Sequence, residues 1–305
     1  MLAFAAWCVY QLHGELARLD PAPILRAWDL VLLATALSLV NYALRIVRWR
    51  AYLSRLGAQL SFRYAALTFT AGFAYTLSPG KVGELVRARY YVPLGIPLSK
   101  TAAAFFVERF LDILALAVMA ALLFTAFSHY EPMILAGTVV AVGTLIALMV
   151  VPWSSAAAAL TSNNSLPRPI RLPLVKVATA LAATRQLLSP GMLSLGFSLA
   201  LLAWLMEAVG LYLLSSMFPA VHLEMTVAIG IYAFAVLIGG LSFLPGGLGS
   251  TEAVMTLLLS SRGYSAGEAL LITLSCRLVT LWLAVALGWG AVVALRRRSL
   301  AVVTP

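Results

Sequence analysis

Five consecutive residues, Glu108-Arg109-Phe110-Leu111-Asp112, carry three charges inside an otherwise apolar run from Ala102 to Leu123. At helical spacing Glu108 and Asp112 lie one turn apart, and Arg109 reaches Asp112 at i+3. A charge at the centre of a bilayer costs about 2.5–3.5 kcal/mol. Three of them so close together must therefore face partners or a wet cavity.

Two further constellations combine charge with helix-breaking residues. In Ser78-Pro79-Gly80-Lys81-Val82-Gly83-Glu84-Leu85-Val86-Arg87, Pro79 and Gly80 interrupt a helix and release backbone groups. Hydrocarbon tolerates such groups only against protein or water. Glu84 and Arg87 pair at i, i+3 on the helix that restarts. A half-helix N-terminus with Lys81 beside it suits a phosphate. The other constellation is Leu244-Pro245-Gly246-Gly247-Leu248-Gly249-Ser250-Thr251-Glu252, with Arg277 downstream. Its glycines permit positive φ and close backbone approach. No Lys-Ser/Thr pair follows and no βαβ context surrounds it, which excludes a nucleotide-binding loop. Glu207, alone in the apolar run 191–216, is a candidate partner for Arg277 or Arg109. Glu268 falls nearer a helix end and reads as solvated.

The elements that position these residues follow from length and hydropathy. About 20 apolar residues cross a bilayer as a helix, which predicts spans near 1–13, 28–47, 63–78, 101–127, 131–152, 191–216, 225–244 and 266–295. The stretches 79–100 and 245–265 are broken by Pro and Gly and carry charge. The expected fold is all-α and polytopic, with about eight transmembrane helices plus two Pro/Gly-broken hairpins, in a single domain over 1–305. The first apolar stretch is short for a span, so either the first helix is abbreviated or the true start lies upstream. The connection 153–190 reads as a loop with a short amphipathic helix on the membrane surface. It is basic, as are 45–63 and 296–298, and the bias of Lys and Arg places all three on the cytoplasmic side if each broken stretch crosses the membrane, whereas re-entrant stretches would put the linker outside.

Glu84, Gly95 and Arg109 are separated by 11 and then 14 residues, and Glu252, Gly263 and Arg277 repeat both separations. Each set follows a Pro-Gly, with a two-residue gap between the copies. Under the sidedness above, the halves 63–127 and 225–295 are copies of opposite orientation. Inverted repeats with broken helices are a common plan of secondary transporters, whose sites lie near the midplane.

Composition sets the outer bounds. Hydrophobic residues make up 62% of the 305, charged residues only 10%, and mean hydropathy is +0.97. Soluble domains carry about a quarter charged residues, so most of this chain has hydrocarbon as its solvent. The net charge of +10 does not mark a nucleic-acid binder, because Arg45, Arg48, Arg50, Arg55 and Arg63, like Arg296 to Arg298, sit beside apolar runs as cytoplasmic flanks do. Cys8 and Cys276 lie in apolar segments without metal-type spacing, and His13, His129 and His222 are scattered. Neither a metal nor a cofactor is expected.

Arg48-Trp49, the Pro79…Gly83-Glu84…Arg87 run, Glu108-Arg109…Asp112 and Pro245-Gly246-Gly247…Gly249…Glu252 together resemble the lysylphosphatidylglycerol synthase transmembrane-region family, over nearly the whole chain. That family includes the flippase domain of the multiple peptide resistance factor and stand-alone relatives. The resemblance implies a flippase-like domain in a prokaryotic plasma membrane. The chain ends at Pro305, so the lysine-attaching half of the resistance factor is not expected, and the lipid is left open.

On this reading the protein moves a phospholipid, an aminoacyl-phospholipid or another lipid-phosphate headgroup across the membrane without chemistry of its own. Arg109 and Arg277 would contact the phosphate, Arg being suited to bidentate phosphate geometry. Glu84, Glu108, Asp112 and Glu252 would hold those arginines or bind an ammonium on the headgroup. A separate lipid-modifying enzyme and a homo-oligomer are compatible partners. The rival classes are a membrane enzyme acting on polyprenyl-phosphate sugars, with Glu84 or Asp112 as base, and a scaffold that recruits a synthase.

Overall fold

Apolar runs of helix-forming residues, interrupted by Pro and Gly, give a structure of helices and helical turns. It is seen here in a computed structural model that describes residues 22–125, 143, 151–162 and 167–303. The expected spans 1–13 and 131–152 fall largely or wholly outside those residues, as do Asn163-Asn164-Ser165. No strand occurs among the described residues. Among the described residues, ten helices of ten or more residues are labelled α1 to α10 in chain order.

Helix α1 runs from Trp28 to Arg55, 28 residues and about 42 Å at 1.5 Å per residue. It continues well past the boundary expected near 47. The cause is visible on one face: Ser38, Asn41, Arg45, Arg48 and Tyr52 recur at steps of three and four and are all buried. Arg45 and Arg48 were expected among the cytoplasmic flanking charges. They lie instead in the helix interior, while Arg50, Arg55 and Arg63 remain exposed.

Helix α2, Phe62–Phe73, has only 12 residues. At about 18 Å it is too short to cross hydrocarbon of about 30 Å, which corrects the span expected over 63–78. Turns come next, and then Pro79–Arg87 winds as a 3-10 helix. A short helix, Ala88–Tyr91, and a 3-10 turn, Val92–Leu94, lead to Gly95 at φ +78. Helix α3, Leu98–Ala120, starts from there and carries Glu108, Arg109 and Asp112.

The connection expected as a loop with one surface helix is mostly helical: α4 is Trp153–Ser162 and α5 is Arg168–Thr184. Both are rich in alanine, the strongest helix former. They pack on each other, and α5 also packs on α3.

Helix α6, Pro190–Ser215, lies along α1. Helix α7, Met225–Leu241, stops before the second Pro-Gly break and packs on both α3 and α6. Helix α8, Ser250–Ser260, occupies part of the second broken stretch. Helix α9, Ala266–Arg277, opens with a capping box between Ser265 and Glu268. The sequence placed Glu268 near a helix end, and it stands there as a cap.

A π turn, Leu278–Trp282, joins α9 to α10, Leu283–Val303. Helix α10 packs against the short α2 so closely that Gly288 has room only for hydrogen: a Cβ there would press on the backbone of Phe73 and Ala74. Among the described residues three helical runs are long and apolar enough to cross a membrane, namely Trp28–Arg55, Pro190–Ser215 and Ala266–Arg297. Their outward faces carry large apolar side chains such as Leu32, Leu39, Leu202 and Trp282.

Candidate functional site

Helix α3 delivers Glu108 and Asp112 into the interior, where they are almost wholly buried. Four arginines from three elements converge on them. From α1, Arg48 Nη2 donates to Asp112 Oδ1 at 2.7 Å and lies 3.4 Å from Glu108 Oε1. From the first broken stretch, Arg87 Nη2 donates to Glu108 Oε2 at 2.8 Å. Arg109 Nη2 sits 3.1 Å from Glu108 Oε1 and 3.0 Å from Asp112 Oδ2. Arg45 stands farther off, its Nη2 at 3.6 and 3.7 Å from those same two oxygens.

Glu84 belongs to the same cluster. Its Oε1 accepts from Thr76 Oγ1 at 2.7 Å, and its Oε2 lies 3.9 Å from Arg87 and 4.0 Å from Arg109. The expected pairings Glu84–Arg87 and Arg109–Asp112 are therefore both present. Aromatic faces complete the solvation of the cations. The Arg87 guanidinium lies 3.7 Å from the Trp49 ring centre and 4.7 Å from that of Phe69. Trp49 is itself fixed, its Nε1 donating to Tyr91 at 2.9 Å.

The second broken stretch is built the same way with fewer charges. Gly246, Gly247 and Gly249 all have positive φ, which lets Pro245–Gly247 turn tightly before α8 begins. Glu252, in the first turn of α8, reaches back to accept from the Gly249 N–H at 2.6 Å. Its other oxygen meets Arg277 Nε at 2.5 Å, and Arg277 Nη2 donates to the Gly246 carbonyl at 2.7 Å. Arg277 thus ties the turn to the end of α9. The π turn after it presents the Thr280 carbonyl to the Tyr42 hydroxyl on α1. π turns inside helices often accompany functional sites.

Both breaks open on one cavity of about 280 Å³. Arg45, Arg109, Asp112, Glu207 and Arg277 lie on its wall, with Thr76 and Ser78 from the turn that leads into the first break and Gly246, Gly247 and Thr251 from the second. The two breaks also touch directly, since Leu77 fills the space a Cβ on Gly246 would need. Glu207 accepts a hydrogen bond from the Tyr232 hydroxyl on α7, a partner other than the arginines expected for it. Among the cavity's lining residues, Phe243 holds φ +54, uncommon for a residue with a side chain, and is mostly exposed.

The first break departs from the expected anion site in one respect. The Gly83 N–H is already taken by Ser78 Oγ at 2.6 Å. The side chain of Lys81 falls outside the described residues. Sequence reasoning missed Arg45, Arg48, Tyr42 and Tyr232 as members of the site. The signal for the first three was the three-and-four spacing of polar residues on α1, with Tyr42 one position beside that stripe. Nothing in the sequence singled out Tyr232. Among the described residues no group of three or more His, Cys, Asp or Glu is placed to hold a metal ion.

Residues 1–288 match the model of the family described as lysylphosphatidylglycerol synthase TM region. A UPF0104 membrane protein of Methanothermobacter thermautotrophicus is 29% identical over 298 residues, covering 88% of this chain and 86% of its own length. Another match to a UPF0104 membrane protein of that organism is 30% identical over 97 residues, 32% of this chain and 28% of the relative.

Proposed function

The chain belongs to the lysylphosphatidylglycerol synthase TM region family, and from that premise we propose that it is a lipid translocase without chemistry of its own. It would move a phospholipid, an aminoacyl-phospholipid or another lipid-phosphate headgroup across a prokaryotic plasma membrane. One observation carries the reading: both Pro/Gly breaks, with Arg109 and Arg277, open on the same cavity between apolar helices. Two broken helices meeting at one chamber that carries charged side chains suit a headgroup path, because irregular backbone survives at membrane depth only against protein or a wet cavity.

The matched spacings support a duplication, and the bias of Lys and Arg supports copies of opposite orientation. Glu252 meets Arg277 at 2.5 Å, and Glu84 lies 4.0 Å from Arg109, so the corresponding residues are neighbours in both halves. Gly95 and Gly263, also at corresponding positions, both have positive φ. In the full arrangement the apolar spans and the two broken elements form one multi-pass domain, with 153–190 on the cytoplasmic side. Arg109 serves the phosphate, Arg277 holds the second break against the cavity through Glu252 and the Gly246 carbonyl, and the acids hold the arginines or receive an ammonium. A separate lipid-modifying enzyme would supply the lipid, and a homo-oligomer is compatible with this arrangement.

Purified protein reconstituted in liposomes tests the proposal. Fluorescent phosphatidylglycerol should exchange between leaflets faster than in protein-free vesicles. Exchange at the protein-free rate for phosphatidylglycerol, aminoacyl-phosphatidylglycerol and a polyprenyl phosphate alike would overturn it. Product formed from a polyprenyl-phosphate sugar would favour an enzyme instead.

A further inference from the structure

Among the arginines of the buried cluster, Arg45 is the one that its acids hold least well. Arg48 and Arg87 each donate a hydrogen bond of 2.7–2.8 Å to a carboxylate. Arg109 stands about 3 Å from two of them. The Arg45 Nη2 contacts, at 3.6 and 3.7 Å, exceed hydrogen-bond length. Neither its Nε nor its Nη2 has a hydrogen-bond partner, although the residue is only 5% exposed. A buried cation left this way is costly, and Arg45 is not tucked out of reach. It lies on the cavity wall, its guanidinium 5.7 and 5.5 Å from the ring centres of Phe73 and Trp204, which also line the cavity.

The charge count points the same way. Arg45, Arg48, Arg87 and Arg109 face Glu84, Glu108 and Asp112, four cations against three carboxylates. Arg45 and Arg109 approach the same two oxygens, Glu108 Oε1 and Asp112 Oδ2. Two guanidiniums are therefore held side by side at the cavity, with donors to spare. Arg277 differs, because Nε and Nη2 are already engaged by Glu252 and the Gly246 carbonyl. Glu207 is the further acid on the cavity wall, and Tyr232 donates to it.

We propose that Arg45 and Arg109 form the anion-binding pair of the cavity and take a phosphate group, while Arg48 and Arg87 are the fixed counter-charges of Asp112 and Glu108 and Arg277 clamps the second break. This rests on reading the cavity as the headgroup site, and it assigns the phosphate to a residue outside both breaks. Phosphate suits a pair of guanidiniums through parallel charge-assisted hydrogen bonds. The same chemistry would accept a lipid phosphodiester or free phosphate.

The two roles predict opposite stability effects. An arginine whose work is structural leaves buried acids uncompensated when removed. One kept under-satisfied for a ligand should be replaceable by a residue of similar volume at no loss of stability. Thermal unfolding of the purified chain in neutral detergent measures this, alone and with dihexanoyl-phosphatidylglycerol or inorganic phosphate added. Wild type should gain stability from the anion. Arg45→Met should unfold at or above the wild-type temperature without anion and lose the gain, with apparent affinity on the order of tenfold or more weaker. Arg48→Met should unfold well below wild type.

Stabilisation by the short lipid alone identifies a headgroup site, and equal stabilisation by inorganic phosphate identifies a phosphate site; both support the anion pair. Three results overturn it: a wild type that neither probe stabilises, an Arg45→Met that keeps the full gain, or an Arg45→Met that is as destabilised as Arg48→Met or cannot be purified folded. Liposome exchange separates the two proposals. Lipid movement by wild type, with anion binding unchanged in Arg45→Met, sinks only the Arg45 assignment. Arg45-dependent anion binding in a chain that moves no lipid sinks the translocase and leaves the site.

Discussion

Glu108 is the residue on which most of the buried charge converges, with contacts to Arg45, Arg48, Arg87 and Arg109. Its replacement by glutamine keeps the shape and removes the charge that holds four cations together. Breaking a buried ion pair from one side costs about 3–5 kcal/mol, so Glu108→Gln should lower the unfolding free energy by that order in detergent denaturation. The acids and Arg109 were legible in the sequence because charge inside an apolar run is rare and demands a partner. Arg45 and Arg48 were not, because they fall where the hydropathy of α1 gives way to exposed arginines, and composition alone assigns such residues to the flank. Only the helical stripe Ser38, Asn41, Arg45, Arg48 and Tyr52 separates the inward arginines from Arg50 and Arg55.

At the scale of elements, two short helices make the cavity possible. Helix α2 ends at Phe73 and α7 at Leu241, each just before its Pro-Gly turn. The breaks themselves were legible, since Pro and Gly punctuate helices for local steric reasons. The path of the chain beyond each break was not, because a 3-10 course over Pro79–Arg87 and a regular α8 over Ser250–Ser260 depend on tertiary partners. The contact of α2 with α10 relies on Gly288, where a Cβ would meet backbone atoms that no rotamer change can move, among them the Phe73 carbonyl carbon at 2.7 Å. Gly288→Ala should therefore cost about 1–3 kcal/mol of stability, read as a lower unfolding temperature. Wild-type stability in that variant would show that the two helices do not approach so closely. Glu252→Gln should loosen the second turn by weakening its hold on Arg277 and Gly249. Faster proteolysis within 245–250 measures that change.

For the whole molecule, the proposal is that two halves with matched Glu–Arg pairs face one chamber from opposite orientations. The spacing of 11 and 14 residues was readable in the sequence. That the matched residues are neighbours, and that both breaks reach one cavity, depends on packing between α1, α3, α7 and α9, which no local pattern encodes. Orientation is testable directly. In a background with Cys8 and Cys276 replaced by alanine, Ser162→Cys on exposed α4 should react with a membrane-impermeant maleimide only after the cells are opened. Labelling in intact cells would place 153–190 outside and end the inverted arrangement. The central claim, that both halves serve one lipid path, is tested most directly by the rate of phosphatidylglycerol exchange between leaflets in proteoliposomes containing Arg109→Ala or Arg277→Ala. The account predicts that each single variant falls to the protein-free rate although its counterpart half is intact, and wild-type exchange in both would contradict it.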